Sequence, residues 1–144
     1  MTEPQRRAHA MPFGAALQPG GGVRFRLWAP AEDRVGLILD DRPEPIAMTP
    51  VTGGWHEASV VEAGPGARYA FAIGGGPRVP DPASRSQPEG VHQPSAVVDP
   101  GAYAWRDGGW RGRPWAETIL YELHIGTFTP EGTYRAAIDK LDRL

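Results

Sequence analysis

Histidines and serines are the first residues to consider for metal binding or nucleophilic catalysis. The spacing of the four histidines matches no metal-ligand motif. Ser84 and Ser86 precede a histidine by a few residues, but neither lies in a G-x-S-x-G turn that would present a nucleophile. The chain has no cysteine, which excludes thiolate ligands and disulfides. We therefore expect no metal site, no cofactor and no serine-type catalysis from His9, His56, His92 and His124.

Glu122 and His124 lie two residues apart in an apolar segment, so an extended backbone places them on one face. A carboxylic acid could protonate a leaving group, but glycoside hydrolysis with retention needs a second carboxylate about 5 Å away. The sequence allows no second carboxylate to be placed there. We therefore expect a buried polar pair that is satisfied by neighbouring strands, and we assign no catalytic residue.

Two tryptophans could stack on a sugar ring, because aromatic faces suit the apolar faces of glucose. Trp28 ends an alternating segment two residues before Pro30, and we expect it to pack. Trp55 follows the pair Gly53 and Gly54, which predicts a tight turn. Trp55 is therefore the candidate for a partly exposed substrate-binding platform.

Net charge and hydropathy exclude several kinds of partner. The formal net charge is −2, so no strong field attracts nucleic acid or an anionic membrane. No stretch approaches the roughly 20 apolar residues of a membrane span. The first 15 residues lack the apolar centre of a signal peptide. These features predict a cytoplasmic protein with no nucleic-acid or membrane partner.

The elements that would position these residues are short strands. Apolar and polar residues alternate with period two in several segments, and many of the 19 glycines and 16 prolines separate them. Such a pattern predicts an antiparallel β-sandwich, mainly β in class, over residues 12–100 after a flexible tail at 1–11. Residues 74–94 contain few apolar residues and many prolines, which predicts a long irregular loop. The predicted strands cover residues 23–28, 34–39, 46–49, 55–61, 68–73 and 96–98.

The character of the sequence changes after the sandwich. Residues 101–117 form a linker whose tryptophans, Trp105, Trp110 and Trp115, suggest docking against a neighbouring domain. Residues 119–125 are nearly continuous in apolar character, which is typical of a strand buried on both faces. An amphipathic helix follows Thr133, a plausible N-cap. Residues 118–144 therefore predict one β/α unit, far short of the about 250 residues of a TIM barrel. We expect the unpaired strand 119–125 to pack on the sandwich, to self-associate with another chain, or to aggregate.

Several segments resemble the α-amylase superfamily, glycoside hydrolase family thirteen. FRLWAP at residues 25–30 and GPGARYAFAI at 64–73 are similar to strands of its N-terminal immunoglobulin-like sandwich domain. YELHIGTFTPEGTY at 121–134 resembles its first barrel strand and the loop after it. PDPASRSQPEGVHQPSAVVDP at 80–100 and HAMPFGAAL at 9–17 resemble the branch that releases trehalose from malto-oligosyltrehalose. The resemblance implies a sandwich, a linker and one β/α unit of a truncated TIM barrel.

The resemblance implies hydrolysis of the α-1,4 bond beside the terminal trehalose, by a retaining mechanism. In this superfamily the catalytic carboxylates come from barrel strands four, five and seven, so we expect them beyond residue 144 and expect these residues alone to be inactive. The barrel loop implied at residues 126–132 makes Phe128, Thr129 and Glu131 candidate substrate contacts. The implied partner is malto-oligosyltrehalose or another malto-oligosaccharide.

Two alternatives remain open. The chain could bind malto-oligosaccharide by itself, or belong to a glycogen branching or debranching enzyme. Glycogen-binding sandwiches of this type carry tryptophans after the second strand and after the Tyr-x-Phe hairpin. This chain has Asp40 to Pro43 and Gly74 to Pro77 in those places. A scaffold role against the barrel is therefore the expected one.

Overall fold

A computed structural model describes residues 12–144. The predicted flexible tail at 1–11, with His9, lies outside the described residues. The chain divides into two compact units, with the boundary between Trp105 and Arg106. The first unit holds the strands and the second holds two short α-helices. Across the part of the chain that the structure describes, none of the helices is long and apolar enough to cross a membrane.

The first unit contains nine strands within the described residues, arranged in two antiparallel sheets. The four-stranded sheet has the order β1-β2-β6-β5, and the other sheet has the order β4-β3-β7-β8, with β9 also paired to β7. This arrangement confirms the predicted mainly β class with two antiparallel sheets. The strands are β1 Gly14–Leu17, β2 Val23–Trp28, β3 Val35–Leu39, β4 Ile46–Ala47, β5 Thr49–Val51, β6 Trp55–Val60, β7 Arg68–Ile73, β8 Arg78–Val79 and β9 Ser95–Ala96.

The core lies between the two sheets. It is formed by the apolar residues that alternate with polar ones along the strands. Every second residue of β2 and β3 is buried, because successive side chains of a strand point to opposite faces. Phe25, Tyr69 and Phe71 form an aromatic centre, with ring centroids 4.9 Å apart for the first pair and 5.9 Å for the second. Further core residues include Val23, Leu27, Val35, Leu37, Leu39, Met48, Val60 and Val97.

Residues 46–51 differ from the single short strand that the sequence predicts at 46–49. Ile46–Ala47 belongs to one sheet and Thr49–Val51 to the other, and the chain crosses between them at Met48. Met48 is buried, and its backbone N–H donates to the Val35 carbonyl at 2.9 Å. Pro50 is tolerated because β5 is an edge strand. The crossing depends on contacts that the local pattern does not contain.

Residues 74–94 form a long connection, as predicted, except that Arg78–Val79 pairs with β7. The two-residue strands β8 and β9 both form hydrogen bonds with the same edge of β7. Strand β9 pairs near the start of β7, and strand β8 pairs near its end. Residues between them lie over the outer face of the second sheet, where Ala70 is only 1% exposed. The connection therefore acts as a cover for that face.

The predicted strand at 119–125 is wrong for this structure. Residues 118–124 have no regular structure, and Ile125–Phe128 forms a short helix, α1. The side chains of Ile119 and Leu120 are 92% and 79% exposed. A strand buried on both faces needs a neighbour on each side, and no described strand pairs with this segment. The truncated barrel unit is therefore not formed here.

The predicted helix after Thr133 is confirmed at its start and is shorter than expected. Helix α2 covers Tyr134–Ile138, and the Thr133 hydroxyl accepts a hydrogen bond from the Ala136 N–H at 3.2 Å. That bond satisfies one of the free N–H groups at the helix N-terminus. A 3₁₀ turn at Leu141–Arg143 follows, and another lies at Trp115–Glu117.

Candidate functional site

The outer face of the first sheet carries an exposed aromatic cluster. Trp28 and Trp55 occupy directly opposed positions at one end of β2 and β6. Val51 is opposite Trp55 on β5, so three adjacent strands contribute one row of large apolar side chains. Phe13 precedes β1, and its ring lies parallel to that of Trp55, at 10° with centroids 6.3 Å apart. We call Phe13, Trp28, Val51 and Trp55, together with Arg26 and Glu57, the aromatic face.

A glycine turn holds Trp28 in place. Gly53 and Gly54 have φ values of 78° and 80°, which favour glycine, and they connect β5 to β6. The Trp28 indole N–H donates to the Gly53 carbonyl at 3.0 Å, and the Ala29 N–H donates to the Gly54 carbonyl at 2.9 Å. The turn is thus fastened to the end of β2. Trp28 is 59% exposed although its indole N–H has a hydrogen-bond partner.

Arg26 supports Trp55 from the side. Its guanidinium carbon lies 4.7 Å from the centroid of the Trp55 ring, within the range of a cation–π contact. Its Nε lies 3.1 Å from a Glu57 carboxylate oxygen, and another of its nitrogens donates to the Pro12 carbonyl at 2.6 Å. These contacts fix the guanidinium and balance its charge within the aromatic face.

The second sheet presents a different surface. A polar cleft of about 310 Å³ lies between its outer face and residues 80–94. Arg78 forms an ion pair with Asp40, and Arg68 forms one with Glu89 at 2.7 Å. The polar cleft is lined by Asp40, Ala70, Arg78, Pro80, Glu89, His92, Gln93 and Pro94.

A buried hydrogen-bond network anchors residues 80–95 beside the core. The Tyr69 hydroxyl donates to the Asp81 carboxylate at 2.6 Å, and the Ala83 N–H donates to the same carboxylate at 2.7 Å. The Asp81 N–H donates to the Ser95 hydroxyl at 3.1 Å. Burial raises the pKa of the Asp81 carboxyl, although these donors and the nearby Arg85 charge act in the opposite direction.

The connection also reaches β1 through Arg85. Its guanidinium donates to the carbonyl of Ala15 at 2.9 Å and to that of Phe13 at 3.3 Å. Gly14 lies between them with φ 73°, and a Cβ there would lie 3.1 Å from an Arg85 nitrogen. Residues 80–95 therefore hold the chain segment from which the Phe13 ring extends.

The predicted site residues lie in two different units. Trp55 is half-buried in the first unit, where Phe13 and Arg26 contact it. The other three lie around a turn of the second unit, in which the Gly132 N–H donates to the Thr129 carbonyl at 3.0 Å. Of these, Thr129 is buried, Phe128 is half-buried and Glu131 is exposed. Their role in substrate binding stays a prediction.

Other sequence expectations also have outcomes. Glu122 and His124 are exposed, so the expected buried polar pair is wrong, because the strand that would bury it does not form. His56 is 2% exposed and faces the core, where neither ring nitrogen has a hydrogen-bond partner among the described residues. No group of three or more potential metal ligands occurs within residues 12–144.

Sequence reasoning missed two of the three aromatic residues of the aromatic face. It assigned Trp28 to packing, which is wrong, yet the alternation already places Trp28 on the same side of β2 as Arg24 and Arg26. That alternation is the signal from which the exposure of Trp28 follows. Phe13 belongs to a segment in which no strand was predicted, and only the tertiary contact with Trp55 identifies it.

Comparison with known proteins identifies a family to which the first unit is similar. Residues 12–87 match the family described as carbohydrate-binding module 48, isoamylase N-terminal domain. The malto-oligosyltrehalose trehalohydrolase of Deinococcus radiodurans is 46% identical over 133 residues, which are 92% of this chain and 22% of that protein. The chain thus spans about a fifth of the length of this curated relative.

Solved structures agree with the fold. A crystal structure of a putative α-amylase from Salmonella typhimurium has a TM-score of 0.83 and 46% identity, over 94% of this chain and 23% of that one. A Klebsiella pneumoniae pullulanase complexed with maltotriose has a TM-score of 0.53 and 28% identity, over 62% of this chain and 10% of that one.

Proposed function

Because the chain belongs to the carbohydrate-binding module 48 family, we propose that it is the N-terminal module of a glycoside hydrolase that releases trehalose from malto-oligosyltrehalose. The reaction is hydrolysis of the α-1,4 bond next to the terminal trehalose. One observation carries the proposal: the similarity to the Deinococcus trehalohydrolase extends well beyond the family match at residues 12–87. A similarity limited to the sandwich would not separate this enzyme from others that share the module.

The proposed role of the sandwich is to support the catalytic domain. Its interior is filled by apolar side chains of both sheets, and its buried carboxylate, Asp81, is bonded to the Tyr69 hydroxyl and the Ala83 N–H. The resemblance to the α-amylase superfamily assigns the reacting carboxylates to barrel strands four, five and seven. We therefore assign catalysis to that barrel and a scaffold role to the sandwich.

The proposed division of the chain has a sandwich at 12–100, a linker at 101–117 and the first barrel unit at 118–144. The exposed apolar residues Ile119, Leu120 and Tyr121 support the third part, because a strand here would need neighbours from a barrel. We propose that Phe128, Thr129 and Glu131 then contact substrate in the loop that follows this strand. Trp55 is proposed as a glucan contact of the sandwich.

A domain exchange tests the proposal. The matching 133-residue segment of the Deinococcus trehalohydrolase is replaced by residues from this chain, and trehalose release from malto-oligosyltrehalose is measured. We expect the chimera to release trehalose, since the exchanged surfaces belong to the same kind of enzyme. The 144-residue chain assayed alone is expected to release none.

A matched chimera provides the control. It carries the corresponding module of the Klebsiella pullulanase, which has the same fold at lower identity. We expect this control to lose trehalose release. A folded chimera with residues of this chain that is as inactive as the pullulanase control would contradict the proposal.

A second candidate function is independent binding of malto-oligosaccharide, which the aromatic face favours. Exposed aromatic side chains held in place by other contacts are suited to apolar sugar faces. Calorimetric titration of the 144-residue chain with maltoheptaose tests this binding. A dissociation constant below the millimolar range supports it, and heat indistinguishable from dilution contradicts it.

A further inference from the structure

We propose that the aromatic face, and not the polar cleft, is where this chain binds an α-1,4-glucan. The inference rests on the proposed binding of malto-oligosaccharide and adds to it the site, its residues and the way they are held. Trp28 and Phe13 supply the exposed rings, and Trp55 stacks with Phe13 and lies opposite Trp28 on the neighbouring strand.

The first step is the exposure of the rings. Trp28 is 59% exposed and Phe13 is 47% exposed, while Trp55 is half-buried. The Phe13 and Trp55 rings are parallel, and Trp28 is the direct cross-strand neighbour of Trp55. Exposed apolar rings that stack, as Phe13 does on Trp55, or that lie at neighbouring register positions, as Trp28 and Trp55 do, indicate an interaction surface.

The second step is rigidity. The Trp28 indole is bonded to the glycine turn, and the Arg85 guanidinium holds the backbone carbonyl of Phe13. Trp55 is contacted by the Arg26 guanidinium, which itself has two further partners. These contacts restrict the Trp28 indole, the Trp55 ring and the Phe13 backbone before a ligand arrives, which lowers the entropy cost of binding.

The third step is charge. Arg26 and Glu57 form an ion pair within the aromatic face, so the two charges balance each other. A surface that combines apolar rings with an internally neutralised pair suits a neutral ligand with apolar faces and hydroxyl edges. An α-1,4-glucan has this chemistry, whereas an anionic or cationic ligand would find no opposite net charge.

The polar cleft is the competing location. Its charged side chains are committed to each other in the pairs Arg78 with Asp40 and Arg68 with Glu89. It contains no tryptophan, tyrosine or phenylalanine among its lining residues. A sugar entering it would have to displace ion pairs and would meet no aromatic ring.

Calorimetric titration of the 144-residue chain with maltoheptaose tests the site. We expect Trp28→Ala and Phe13→Ala each to weaken binding by about tenfold, the order expected for the loss of a stacked ring. Trp105→Ala serves as the matched control, because Trp105 is 71% exposed and lies outside the aromatic face. Arg78→Ala reports on the polar cleft. Circular dichroism establishes that each variant is folded.

The outcomes are distinct. Weaker binding by Trp28→Ala or Phe13→Ala, with Trp105→Ala and Arg78→Ala unchanged, supports the inference. Binding that survives both aromatic variants and is lost in Arg78→Ala overturns it and leaves malto-oligosaccharide binding intact. Absence of binding by the unaltered chain overturns it as well. If the unaltered chain does not bind, Trp28→Ala is introduced into the chimera with the Deinococcus enzyme. Loss of trehalose release by that variant would then indicate that the aromatic face packs against the rest of the enzyme.

Discussion

The Tyr69 hydroxyl donates a 2.6 Å hydrogen bond to the Asp81 carboxylate inside the first unit. Tyr69 is 1% exposed and belongs to the core, whereas Asp81 is the second residue of the long connection that covers the second sheet. One bond therefore joins the interior to a 15-residue connection between β8 and β9 that has few apolar side chains. The stability of this connection depends on polar contacts more than on apolar burial.

Tyr69→Phe is expected to lower the free energy of unfolding by about 1–3 kcal/mol, because it removes a donor from a buried carboxylate. Urea denaturation at neutral pH measures the change. Tyr121→Phe is the matched control, since Tyr121 is exposed and we expect a change below about 0.5 kcal/mol there. Equal effects of the two variants would contradict the role of this bond.

The Asp81 carboxyl predicts a pH dependence of stability. Burial raises its pKa in the folded chain above the value in the unfolded chain, so the folded chain binds the proton more tightly. The corresponding contribution to stability is complete below about pH 4, the ordinary value of an unfolded aspartate, and is lost as pH rises through the folded-state pKa.

The comparison with Asp81→Asn isolates this contribution, because the amide does not titrate. The difference in free energy of unfolding, unaltered chain minus variant, is expected to fall as pH rises from about 4. Urea denaturation of both proteins across this range measures it. A difference that stays constant or grows with pH contradicts the raised pKa.

Gly54→Ala is expected to destabilise the first unit by about 1–3 kcal/mol. The residue has φ 80°, and a Cβ there would lie 2.5 Å from the Pro30 Cβ. Thermal unfolding followed by circular dichroism checks the change. The matched control is Gly64→Ala, where a Cβ meets nothing within 4 Å and φ is not positive. A control as unstable as the Gly54 variant would refute the steric argument.

Ile119 and Leu120 are expected to cause self-association, as predicted for the unpaired segment 119–125. They are adjacent and almost fully exposed, and Tyr121 beside them is 64% exposed. Light scattering over a range of concentrations should show a rise in apparent mass that the double variant Ile119→Lys, Leu120→Lys suppresses. Val61→Lys is the control, because Val61 is 77% exposed in the first unit. Suppression by both variants alike would point to net charge instead of this segment.

Local patterns were sufficient for most of the sandwich. Alternation in β2, β3 and β7 predicted their bounds to within one residue, and in β2 and β3 it also identified which side chains are buried. In β7 the connection over the sheet buries Ala70 on the opposite face as well. The Thr133 cap likewise predicted where α2 begins. These features depend on the period of a strand or on neighbours a few residues away, and both can be read along the chain.

Contacts between distant residues decided the rest. The bond from Tyr69 to Asp81, the stacking of Phe13 on Trp55 and the crossing at Met48 each join segments whose pairing no local pattern specifies. The segment 119–125 shows the converse, since its composition suits a strand but the described residues offer it no partner. By itself the sequence determined the period and the buried face of β2 and β3, and the cap at which α2 begins. The tertiary structure alone decided which faces meet, because pairs such as β2 with β6 and β3 with β7, and the stacking of Phe13 on Trp55, join elements remote in the chain.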